Sequence, residues 1–190
     1  MYDVTPHTTE KDTACGPTCL QMLLEYYGIM VDLQTLIDEC GVNTAGCSGA
    51  TLLRVGRLHG LTDMMAFSMD AEELIRQDRP AIIWWTYNHW NVFAGRDDKG
   101  QVVICNPNMG RFSIDAGTFG ALFTQVCLFN GNPGDLPEQP DMIATDNIAK
   151  GKHFIARDNV YKATAAILKG AAILPGVNCR RITLDEMIGG

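Results

Sequence analysis

The run Ala81-Ile82-Ile83-Trp84-Trp85-Thr86-Tyr87-Asn88-His89-Trp90-Asn91-Val92 decides the fold, because the hydrophobic period changes there. Before it, apolar residues recur at helical spacing. From Ala81 onward they come in short β-branched and aromatic runs bounded by turn residues, which is the pattern of strands. The expected strands are 81–87, 89–95 and 101–105, with Asp97-Asp98-Lys99-Gly100 as the turn between the last two. Further on, Asp115 is placed to cap a short helix through Phe123, and Gln125 to Phe129 returns to strand.

Upstream of the change the chain reads as helices. The first is expected from Gly16 to Tyr27, with Pro17 in its first turn, Leu20, Leu23, Leu24 and Tyr27 on one stripe, and Gly28 as the stop. Asp32 is a good N-cap for a second helix reaching Cys40, and a third is expected over 48–59. Asp70 with Glu73 makes a capping-box start for a short helix through Arg76. Helices first and an antiparallel sheet after is the α+β class, not a parallel βαβ arrangement.

Composition narrows the function. The chain has 190 residues, 46% hydrophobic and 19% charged, enough to bury a core in one ordinary domain with a small appendage. A formal charge of −7 argues against nucleic acid held on a basic surface. No apolar run reaches membrane-spanning length, and the Met1–His7 start lacks the basic and apolar regions of a secretion signal. Reduced thiols in a bacterial cytoplasm, or a virion-associated location, are therefore expected for the seven cysteines. From Asn132 to Asp141 three prolines and a glycine form a linker, dividing 1–131 from a small module over 142–190.

Three separated segments supply the parts of a thiol site. Cys15, in Ala14-Cys15-Gly16-Pro17-Thr18-Cys19-Leu20, stands at the head of the first helix, where unpaired N–H groups and the helix dipole favour a thiolate and an oxyanion. His89 begins a strand and can act as general base. Asn106, before Pro107, can orient the imidazole, as asparagine does in some thiol proteases. The order Cys, His, Asn is that of papain-like enzymes. Gly16 is expected to let a substrate carbonyl approach the backbone, and Cys19 is expected to pack in the core. Trp85 and Trp90 are candidates for the cleft wall, although aromatic residues on a strand also serve as core. No cofactor is implied. Cys15, Cys19, Cys40 and Cys47 with His7 or His59 are an alternative zinc set, but they lack C-x2-C knuckles, so no metal is assigned.

Residues 9 to about 125 resemble the C39 family of cysteine peptidases, the papain-fold domains that cleave double-glycine leader peptides. The resemblance rests on Cys15-Gly16-Pro17-Thr18-Cys19-Leu20 with Tyr26-Tyr27-Gly28. It continues through Arg79-Pro80-Ala81-Ile82 into Asn88-His89-Trp90-Asn91-Val92, then Val103-Ile104-Cys105-Asn106-Pro107, Gly110 and Phe119. It implies Cys15 as nucleophile, His89 as base, Asn106 in the orienting role usually filled by Asp, and a peptide or protein substrate. The family usually places Gln six residues before the nucleophile to line the oxyanion hole; here Thr9 stands there, shorter and able to donate one hydrogen bond.

The tail resembles small β-rich modules of bacteriophage structural proteins, at Asn147–Gly151, Val160–Ile167 and Pro175–Asn178, implying a phage or prophage setting with virion proteins as partners. The terminal Leu184-Asp185-Glu186-Met187-Ile188-Gly189-Gly190 has the form of a double-glycine leader, and also of a last short helix followed by free glycines. Two other functions stay open: a cysteine amidase or endopeptidase directed at cell-wall peptides, and a catalytically silent binding or virion structural protein.

Overall fold

The computed structural model describes residues 1–131 apart from 78 and 87, together with a two-residue strand at 180–181. The linker, most of the C-terminal module, the phage-like segments and the Gly189-Gly190 end lie outside the described residues.

In chain order a single 3-10 turn (Asp12–Ala14) leads into α1 (Cys15–Tyr26), α2 (Leu33–Glu39) and α3 (Gly49–Leu58). Then come β1 (Met64–Ser68), α4 (Ala71–Arg76), β2 (Ala81–Trp85), β3 (His89–Arg96), β4 (Val102–Asn106) and β5 (Gly110–Ile114). The chain continues through α5 (Ala116–Leu122), β6 (Phe123–Asn130) and β7 (Arg180–Arg181). The strands form one sheet in the order β5-β4-β3-β2-β6-β1-β7, and every pairing in it is antiparallel. This is the expected α+β, papain-like arrangement of helices on an antiparallel sheet.

The helix starts follow from their caps. Asp32, Ser48, Asp70 and Asp115 each accept hydrogen bonds from backbone N–H groups of the following turn. Asp70 and Glu73 complete the reciprocal capping box, and Glu73 is itself buried. Asp70→Ala therefore lowers unfolding free energy by about 1 kcal/mol in urea denaturation; an unchanged midpoint would show that tertiary contacts alone hold α4.

Strand alternation divides the core between the two sheet faces. On one face Ile82, Val92, Ala94, Val103 and Leu128 pack under Leu20, Leu23 and Leu24 of α1 and Leu52, Leu53 and Val55 of α3. On the other, Ile83, Trp85, Phe93, Ile104, Cys127 and Phe129 pack with Leu74 of α4 and Phe119 of α5. Two strands depart from the sequence expectation. β1 and β5 read as neither helix nor strand, yet β1 pairs along its length with β6, and β5 forms the edge beside β4.

Candidate active site

Cys15 is the first residue of α1, with Ala14 as the N-cap and Thr18 Oγ1 donating back to the Ala14 carbonyl at 2.9 Å. The residue is buried, 6% exposed. Burial pushes its pKa above the ordinary 9.0, against the pull of the Trp90 and Gly16 backbone N–H groups; the nearby Asp12 carboxylate raises it further. Gly16 is needed here for packing. A Cβ on it would lie 2.6 Å from Cys47 Sγ and 3.2 Å from Trp90 Cδ1, so the missing side chain makes room for the Cys47 segment.

His89 opens β3 opposite Trp85 of β2. The connection between them ends at Asn88, which has a φ of 57°, a left-handed conformation that asparagine tolerates better than most residues. That turn sets the imidazole at the end of the sheet. Asn106 closes β4, which pairs with β3, and its carboxamide hydrogen-bonds the His89 ring. The Asn106 Oδ1 also accepts from the backbone N–H groups of Asn108 at 2.7 Å and Met109 at 3.0 Å, so the turn into β5 locks its orientation. Burial lowers the His89 pKa below the ordinary 6.5; the Asn106 hydrogen bond and the Asp12 carboxylate oppose that shift. Both directions favour a resting pair of neutral thiol and neutral imidazole. The ion pair suggested by the helix N-terminus alone is disfavoured by desolvation.

Asp12 and Asn108 join the site without having stood out in the sequence. Asn108 Nδ2 donates to Asp12 Oδ1 at 2.8 Å, tying the β4–β5 turn to the turn before α1. Thr9 lies alongside, its N–H donating to the Pro107 carbonyl at 2.7 Å. Its Oγ1 accepts from Lys11 N at 3.2 Å, which leaves the hydroxyl proton available to donate. His7 is engaged elsewhere, paired with Glu25 of α1.

A cleft of about 550 Å³ opens beside His89, lined also by Asp12, Asn106, Trp85, Phe112 and Leu122. Trp90 turns to the opposite sheet face, where it packs against Trp84 and its indole N–H donates to the Cys47 carbonyl. Trp85 is thus on the cleft wall, and Trp90 meets the site through its backbone N–H. Two buried polar side chains also line this cleft: Thr86, 5% exposed, and Asn91, 1% exposed. Among the described residues the Thr86 hydroxyl and both polar atoms of the Asn91 carboxamide have no hydrogen-bond partner; a buried polar group left unpaired costs about 1–3 kcal/mol. Cys19 is fully buried in the α1 core. Among the described residues no group of three or more His, Cys, Asp and Glu could hold a metal ion, and no helix is long and apolar enough to cross a membrane.

The sequence profile described as "Peptidase C39 family" matches residues 3–133. Two Escherichia coli proteins are similar over 122 residues: the probable microcin-H47 secretion/processing ATP-binding protein MchF at 25% identity, and the colicin V secretion/processing ATP-binding protein CvaB at 26%. The match covers 64% of this chain and only 17% of either relative. A solved double glycine motif protease from an AMS/PCAT transporter, in complex with the leader peptide, is 27% identical with a TM-score of 0.62. That likeness covers 67% of this chain and 91% of the other. The peptidase domain of Streptococcus ComA shares the fold at 18% identity and a TM-score of 0.54, over 68% of this chain and 97% of its own.

Proposed function

Because the chain belongs to the peptidase C39 family of cysteine peptidases, we propose that it hydrolyses peptide bonds with Cys15 as nucleophile, His89 as general base and acid, and Asn106 as the group that orients the imidazole. The observation supporting this reading is that His89 and its hydrogen-bonded Asn106 line one cleft with Asp12, whose carboxylate acts on both the His89 imidazole and the buried Cys15 thiol at the head of α1.

His89 takes the thiol proton as Cys15 Sγ attacks the carbonyl carbon, forming the C–S bond. The N–H groups at the head of α1, with the Thr9 hydroxyl, hold the oxyanion. Collapse breaks the C–N bond as the imidazolium gives its proton to the leaving amine. Water, deprotonated by His89, then hydrolyses the thioester and restores the thiol.

Cleavage after Gly-Gly is the specificity proposed. A relative with 27% identity is a double glycine motif protease seen with its leader peptide, and the curated relatives are secretion/processing proteins. The test is incubation of wild type and Cys15→Ala with peptides containing a central Gly-Gly, read by mass spectrometry. Cleavage after the second glycine by wild type alone supports the reading. A Cys15→Ala variant as active as wild type would falsify it. A chain extended beyond Gly190 tests in the same assay whether its own Gly189-Gly190 end is a processing site.

The pH profile of kcat/KM is expected to be a broad bell. The competent form carries one proton shared by the pair. It is lost on the acid side when His89 protonates, below pH 6.5, and on the alkaline side when Cys15 ionises, above pH 9.0. The Asp12 carboxylate raises both pKa values, so Asp12→Asn moves both limbs toward acid. A shift of either limb toward alkali contradicts this assignment.

A further inference from the structure

β3 carries an expensive residue. Side chains of His89, Asn91 and Phe93 fall on one face of the strand, and Phe93 is fully buried in the core there. The cross-strand partner of Asn91 is Ile83, also core. Leucine or valine would satisfy this position, yet it holds a carboxamide with neither its N–H nor its oxygen paired among the described residues. Thr86, just past the end of β2, contributes a third buried and unpaired polar atom. Asn91 and Asn106 lie one residue beyond the Val92–Cys105 pair on the adjoining strands, so the unpaired group sits directly behind the catalytic edge of the sheet.

Asn91 and Thr86 both line the same cleft as His89, with their unpaired polar atoms covered in the free protein. A carboxamide presents a donor and an acceptor side by side, and its complement is another amide edge. We infer that Asn91 and Thr86 form an amide-recognising subsite beside His89, walled by Trp85, Phe112 and Leu122. It would take either an Asn or Gln side chain of the substrate or the paired N–H and C=O of one extended substrate residue. A site built to hydrogen-bond its ligand discriminates strongly against an analogue lacking the donor, because its own buried groups are then left unpaired. That makes Asn91 a specificity determinant, and its unpaired state in the free protein the cost of that selectivity. The inference rests on reading the cleft as a peptide site, but its test does not require cleavage.

The ¹⁵N-labelled full chain is titrated with acetamide, with acetone, which has the same shape without the N–H, and with N-acetylglycine N-methylamide, which offers backbone amides only. The readouts are the Asn91 side-chain NH₂ resonances and the backbone amides of Thr86 and Val92. Saturable shifts with acetamide at concentrations about tenfold lower than with acetone support a side-chain ligand. The same advantage confined to N-acetylglycine N-methylamide assigns the subsite to substrate backbone. In Asn91→Leu both advantages disappear while the melting temperature rises, since the substitution removes an unpaired buried group. Equal responses to acetone and to the amides overturn the inference, as does an amide preference that persists in Asn91→Leu. Failure to cleave Gly-Gly peptides leaves this result standing and bears on the proposed reaction alone.

Discussion

His89→Ala lowers kcat/KM on a cleavable peptide by about 10³–10⁴, the range for removing a positioned general base that also serves as the acid. The resting state makes this loss large. Burial holds the thiol protonated and the imidazole neutral, so no stored thiolate exists to react without His89. Each turnover needs a base within reach at the moment of attack, and a second proton delivered to the leaving amine. The substitution shortens a side chain at the half-buried first residue of β3, so far-ultraviolet circular dichroism and the melting curve should match wild type within the effect of a surface change. Activity within tenfold of wild type, on a folded variant, would remove His89 from the mechanism and reopen the reading of the domain as a silent binding module.

Phe93→Ala has the largest expected effect on stability, about 3–5 kcal/mol in urea unfolding. Phe93 is fully buried in β3 and meets the rings of Tyr2 at 6.3 Å and Phe119 at 6.0 Å. Truncation leaves a cavity between the sheet and α5, because the strands on either side are held by paired backbone and cannot close over it. Comparison with Asn91→Leu on the same strand face separates two kinds of residue: one destabilises when changed, the other stabilises. A loss below 1 kcal/mol for Phe93→Ala would mean that α5 collapses onto the sheet, and that the cleft wall formed with Leu122 is softer than its packing indicates.

Much of the fold was legible because local chemistry and tertiary structure agree. The caps at Asp32, Asp70 and Asp115 are side chains bonding N–H groups two or three residues away, so short-range sequence suffices to place them. β2 and β3 were legible from β-branched and aromatic runs, and Gly100 from the turn it closes. β1 was not. Met64-Met65-Ala66-Phe67-Ser68 is buried on both faces, so it shows no alternation and little β-branching. It becomes a strand because β6, some sixty residues later, supplies its hydrogen-bond partners. β5 alternates between exposed and half-buried residues but is short and follows a turn.

The same division runs through the site. Residue type and chain order alone single out Cys15, His89 and Asn106, because a nucleophile, a base and an orienting amide each require particular functional groups at element ends. Spacing along the chain carries no information about dielectric, about what crosses from another strand, or about which polar atoms end without a partner. Those are sums over segments remote in sequence. The tertiary structure therefore decided that the thiol and imidazole rest neutral, that Gly16 makes room for Cys47, and that Asp12 and Asn108 tie the turn after Asn106 to the turn before α1. It also decided that Asn91, a polar residue in the buried middle of β3, stands unpaired among the described residues beside the cleft.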